Sequence, residues 1–165
     1  KCTMVRDEGV YKTPYEKKKK ILQAYDWLTN EIKKNIKSKK IRNYNTSSIQ
    51  GRVHQKKDIL SWEMIKKMYM SPKYISPCHA GSLFGIITSN GKVYPCEILE
   101  DKLLGNLRDN EMNFMKIWND KITKDTKDYI LKSKCNCTYE CALSYNILGN
   151  WRYQASLASS MFNLD

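Results

Sequence analysis

From Tyr15 onward, apolar residues recur at three- and four-residue steps: Ile21, Leu22, Tyr25, Leu28, Ile32 and Ile36, with lysines between them. That period predicts an amphipathic helix. Pro14 suits its start, because the first helical turn has no use for the missing N–H. A second helix is predicted over about residues 56–70, with Ile59, Trp62, Ile65 and Tyr69 on one face and Pro72 and Pro77 beyond its end. Residues 38–53 are polar and aperiodic and read as a linker. Upstream, residues 2–5 form a short apolar run that reads as a strand, followed by a loop to Pro14.

The period then changes to two. Residues 83–88 are apolar and β-branched, Asn90-Gly91 favours a type I′ turn, and residues 92–98 resume as a strand. Together they predict a β-hairpin. Residues 101–109 read as a loop around Gly105. Helical patterns return over about 111–119 and 124–132, and residues 142–162 read as a largely helical tail interrupted at Gly149. The predicted fold class is α+β, a small hairpin among helices.

Lys and Arg number 29 against 17 Asp and Glu, a net charge of +12. The bases are mostly Lys, and Arg, the bidentate reader of phosphates, is scarce. The charge therefore reads first as a solvated lysine surface, and only second as a face for nucleic acid or another polyanion. The eleven tyrosines show no cluster pattern that would build a single-strand groove. No apolar run approaches the ~18 residues of a membrane span. The N-terminus is polar, with no secretory pattern. A chain that begins at Lys1 reads as a processed protein or a fragment of a larger one, expected in the cytoplasm.

The chemistry lies in six cysteines: Cys2, Cys78, Cys96, Cys135, Cys137 and Cys141. Without an export signal, clustered thiols point to metal rather than to disulfides. Cys78 precedes the first strand of the hairpin and Cys96 ends the second, and a hairpin brings its outer ends together. Pro95 keeps the backbone extended before Cys96. Three residues separate Cys137 from Cys141 on an incipient helix, which puts both sulfurs on one face. Free N–H groups at a helix start also stabilise thiolates. Four thiolates suit a [4Fe–4S] cluster or a structural zinc, and spacing leaves both open. His54 and His79 are candidate zinc ligands, although His79 beside Cys78 on an extended segment points elsewhere. Cys2 reads as a small buried residue. Trp27, Trp62 and Trp118 read as core rather than as stacking platforms, and Trp151, near the tail, is left open between the two. No nucleophile triad or phosphate loop is present.

Two segments, Cys78-His79-Ala80-Gly81 and Ser89-Asn90-Gly91-Lys92-Val93-Tyr94-Pro95-Cys96, resemble the auxiliary-cluster region of radical S-adenosylmethionine enzymes, the SPASM or twitch domain. That family has a cysteine, a spacer and then Gly-x4-Cys. Its Leu-Gly-Asn-Leu segment has a counterpart in Leu104-Gly105-Asn106-Leu107, its Ile-Trp pair in Ile117-Trp118, and its closing cysteines in Cys135, Cys137 and Cys141. The resemblance covers about residues 77–148. Full SPASM domains hold two clusters with seven cysteines, so the short closing group implies the single-cluster twitch form.

Five cysteines compete for four corners, and the set favoured is Cys78, Cys96, Cys137 and Cys141, with Cys135 the alternate. The implied organisation is the end of a partial (β/α) barrel and a linker over 1–53, then an auxiliary cluster domain with a helical tail over 54–165. Arg6, Asp7 and Glu8 would then line a substrate site. The implied function is electron transfer or substrate binding by an auxiliary [4Fe–4S] cluster, in the modification of a peptide or small molecule. The family's radical-generating Cys-x3-Cys-x2-Cys is absent, and Ser144 stands where its last cysteine would follow Cys141. S-adenosylmethionine is therefore expected to bind only an upstream barrel, on the same or a separate polypeptide, and the 165 residues alone are not expected to cleave it. The alternative is a basic zinc-binding module, for nucleic acid or another partner.

Overall fold

The lysine-interleaved period forms α1 (Tyr15–Lys37), as its spacing predicts. The structure is a computed structural model that describes residues 15–38, 47–70 and 74–162. Cys2, the strand expected over 2–5, and Arg6, Asp7 and Glu8 lie outside the described residues. On α1, Tyr25, Thr29 and Ile36 are buried, and the Thr29 hydroxyl donates to the Tyr25 carbonyl at 2.6 Å. Trp27 does not join them. It is 67% exposed, as is Trp151 at 79%, so neither is a core residue.

The second helix, α2 (Ile49–Met70), starts well before its apolar stripe. Ser48 opens it by accepting from the Gly51 N–H at 3.0 Å, and the polar residues after it are helical rather than linker. A domain division at residue 53 thus falls inside a helix. Two further helices, α5 (Glu140–Gly149) and α6 (Trp151–Met161), break at Asn150, whose side chain accepts from the Arg152 N–H at 3.0 Å. These four helices belong to one unit, made of residues up to Ile75 and from Thr138 on. Its core is Tyr25, Met64, Ile65, Met68, Tyr69, Leu143, Ile147 and Leu157. Lys66 meets Asp26 at 2.6 Å and Lys33 meets Glu63 at 3.4 Å, two partly exposed pairs that fix the α1–α2 register more than they stabilise it. Arg52 reaches the end of α6, donating to the carbonyls of Ser160 at 3.1 Å and Met161 at 2.6 Å. No helix among the described residues is long and apolar enough to cross a membrane.

Residues 76–137 form the second unit. It holds an antiparallel sheet of β1 (Ile86–Ile87), β2 (Lys92–Tyr94) and β3 (Gly105–Asn106), in that order. Ile86 faces Tyr94 and Ile87 faces Val93, while Lys92 faces Asn106 and Val93 faces Gly105. The hairpin turn differs from its sequence signal. The Gly91 N–H donates to the Thr88 carbonyl at 2.9 Å and the Thr88 N–H donates to the Lys92 carbonyl at 2.9 Å. Only Gly91, at φ +87°, enters the left-handed region, and Asn90 does not. The connection is therefore a type I turn over Ser89-Asn90 followed by a glycine bulge, not a type I′ turn over Asn90-Gly91.

Beyond the sheet lie α3 (Phe114–Trp118) and α4 (Lys121–Lys132). The helix expected from residue 111 starts later because Glu111 and Met112 both hold positive φ, 56° and 59°. Asp120 opens α4 by accepting from the Ile122 N–H at 3.4 Å, and the Thr123 hydroxyl donates to the Ile117 carbonyl at 2.7 Å. Val93, Leu104, Leu107 and Ile117 form one small core. Gly105 lets β3 approach α3 closely, since a Cβ there would lie 3.0 Å from Ile117 Cγ2. The Leu-Gly-Asn-Leu segment, expected as loop, is thus a strand with two core anchors. The architecture is α+β, as predicted.

Candidate metal centre

Cys78 leads into a tight loop. The Ser82 and Leu83 N–H groups donate to the His79 carbonyl at 3.0 and 2.9 Å, and the Gly81 N–H donates to the Phe84 carbonyl at 2.8 Å. Cys96 follows β2 after buried Pro95. Both cysteines are buried, and they pack in one cluster with Ala80 and Ile130. The outer ends of the hairpin do meet, as its topology requires.

The third sulfur comes from the end of α4. The Lys134 N–H donates to the Leu131 carbonyl and the Cys135 N–H to the Ile130 carbonyl, both at 3.2 Å. Lys134 holds φ +50°. This paired bonding with a left-handed residue is a Schellman stop, which reverses the chain and folds the residue after it back onto the last turn. Cys135 accordingly packs beside Ile130 against the cluster of Cys78 and Cys96. Cys137 follows two residues later, half-buried.

The Cys135 thiol hydrogen-bonds with Cys78. That bond, then burial, then the charges of Cys78, Cys137 and Cys96 push its ionisation far above the ordinary thiol range. Cys78, Cys96 and Cys135 therefore share one apolar neighbourhood within this unit, with Cys137 two residues further along the chain. They do not yet form a closed shell, because among the described residues no three His, Cys, Asp or Glu side chains converge to hold a single ion. The donor set fits a soft metal or cluster all the same. It offers soft, largely buried thiols walled by Ile130, Phe84 and Leu99, and a bound cation would offset the cost of ionising them.

Cys141 is exposed on the first turn of α5, in the helical unit. His79 is half-buried next to Cys78, and desolvation holds its pKa below the ordinary histidine value. His54 lies on α2, also in the helical unit, where Nε2 stands 3.8 Å from Asp58 Oδ2. All five described cysteines are thiols rather than disulfides.

No curated protein and no solved structure matches the chain. One family model does, and it spans the sheet, α3, α4 and the closing cysteines: residues 78–142 match SPASM, an iron–sulfur cluster-binding domain.

Proposed function

We propose that the chain carries one auxiliary [4Fe–4S] cluster, held by Cys78, Cys96, Cys135 and Cys137, in a radical S-adenosylmethionine enzyme. One observation supports this ligand set: the hairpin ends and the Schellman stop of α4 pack Cys78, Cys96 and Cys135 around one apolar cluster, with Cys137 two residues further on, in the stretch that matches the iron–sulfur family. Relative to the set that sequence spacing favours, Cys135 replaces Cys141. A bound cluster would supply one-electron transfer. The protein's part is to exclude water with Ile130, Phe84 and Leu99, and to surrender the thiol protons as metal enters. The barrel that binds S-adenosylmethionine lies on the same or a separate polypeptide, and the substrate is a peptide or small molecule.

Anaerobic reconstitution with iron and sulfide tests this. About four iron and four sulfide per chain are expected. Stoichiometric zinc without acid-labile sulfide would reject the cluster. Cys135→Ser should lose most of the iron while Cys141→Ser keeps it. The reverse result would overturn the ligand set and leave the cluster standing.

A further inference from the structure

One thiol pair at this site has a chemistry of its own. Cys135 packs against the apolar cluster that contains Cys78, and its thiol hydrogen-bonds with Cys78. Both contacting residues are anchored by backbone. Cys135 is tied to Ile130 by the Schellman stop, and Cys78 leads into the loop closed on His79 and Phe84. Both also pack in the same apolar cluster. Two thiols already in contact need little backbone movement to bond, provided their Cβ atoms face one another.

We infer that, when the cluster is absent, Cys78 and Cys135 close a disulfide with each other, and that this bond is a reversible lock on the ligand set. The inference rests on the proposed roles of Cys78 and Cys135 as ligands. The oxidant is a low-molecular-weight disulfide such as oxidised glutathione. The Cys78 sulfur attacks it, forming a mixed disulfide and releasing one glutathione. The Cys135 sulfur then attacks the Cys78 sulfur and releases the second. Two protein thiols lose two electrons, one glutathione disulfide gains them, and the two protons leave on the two glutathione thiols.

The result removes two corners from the metal site together. It also holds both sulfurs at an oxidation level that a dithiol can reverse, short of the sulfinic acids that cannot be recovered this way. Chain proximity would favour a different product, because Cys135 and Cys137 are separated by one residue and Cys137 and Cys141 by three.

The test uses the full 165-residue chain, stripped of iron under anaerobic conditions and exposed to excess oxidised glutathione. Free thiols are then alkylated and the digest is read by mass spectrometry. Cys135, Cys137 and Cys141 share one tryptic peptide, running from Cys135 to Arg152, so variants assign the bond. The cross-link to the Cys78 peptide should persist in the Cys137→Ser, Cys141→Ser double variant and vanish in Cys135→Ser, with both variants checked for native circular dichroism. A main product of Cys135–Cys137, Cys78–Cys96 or Cys137–Cys141 overturns the inference, as does a folded chain that forms no disulfide. Oxidised protein should take up no iron and sulfide until reduced with dithiothreitol, and uptake without reduction also overturns the lock. Iron loading of the untreated chain is measured separately. If it fails while the cross-link forms, the cluster reading falls and the disulfide stands.

Discussion

Replacing Gly91 by alanine should unfasten the sheet from its turn. Gly91 sits at φ +87°, where a side chain costs about 1–2 kcal/mol. The added Cβ would also stand 2.8 Å from Asn106 Oδ1. That oxygen accepts from the Arg108 N–H at 3.0 Å, so moving it away sacrifices a bond of about 0.5–1.5 kcal/mol. Alanine stiffens the unfolded chain and returns about 0.4–1 kcal/mol. The net loss is about 2 kcal/mol. Urea unfolding of the cluster-free chain, followed by hydrogen exchange in the peptide covering β1 and β2, reads this directly. The companion substitution is Ser89→Pro. In a type I turn, Ser89 is the second residue, where proline is favoured, and its N–H makes no hydrogen bond among the described residues. The change should be neutral or stabilising by about 0.5 kcal/mol. In a type I′ turn over Asn90-Gly91, Ser89 would instead be a ladder donor and proline would delete that bond. A loss below about 1 kcal/mol for Gly91→Ala, or a marked loss for Ser89→Pro, would refute the turn assignment and the reasoning built on it.

Two other substitutions probe the ends of helices. Lys134→Gly should stabilise the cluster-free chain by about 0.5–1 kcal/mol, because glycine takes the left-handed stop without strain, and a drop in melting temperature would contradict the Schellman geometry. Arg52→Met keeps the stem but removes the donors to the Ser160 and Met161 carbonyls, so it should cost about 1–2 kcal/mol in urea unfolding, with faster hydrogen exchange concentrated at the end of α6; unchanged exchange there would show that α6 ends without help from Arg52.

Periodicity located most elements, and the misses have local causes. α1 follows its apolar stripe from end to end, yet the same stripe argued against burying Trp27. It lies two residues past buried Tyr25, roughly 200° around the helix. α2 lost its opening turns to polar residues whose helicity comes from Ser48 and from packing rather than from pattern. The hairpin was legible but its turn was not, since a glycine after asparagine serves a type I′ turn or a bulge equally well. β3 has two residues, too few to alternate. At the candidate site, the packing of Cys78 with Cys96 was legible because a hairpin joins its own ends. Cys135 was a candidate from the sequence, but its packing beside Ile130 was not legible. That packing depends on Lys134 adopting a conformation that glycine usually signals, and nothing in the residue types Ser133-Lys134-Cys135 announces a helix stop.

The helical unit is assembled from two pieces of chain, with about seventy residues strung between the end of α2 and the start of α5. Closing so long a loop costs entropy. Cys78 stands near one end of that excursion, and Cys135 and Cys137 stand at the other. Any bond that joins them, through metal or directly between sulfurs, reduces the free span to little more than a dozen residues. By the logarithmic dependence on length, that is worth about 1.5 kcal/mol relative to an excursion left open. In the proposed role, the cysteines would clasp the chain's connectivity as well as hold the cluster. Loading or oxidising them should tighten helices that carry none of the four sulfurs.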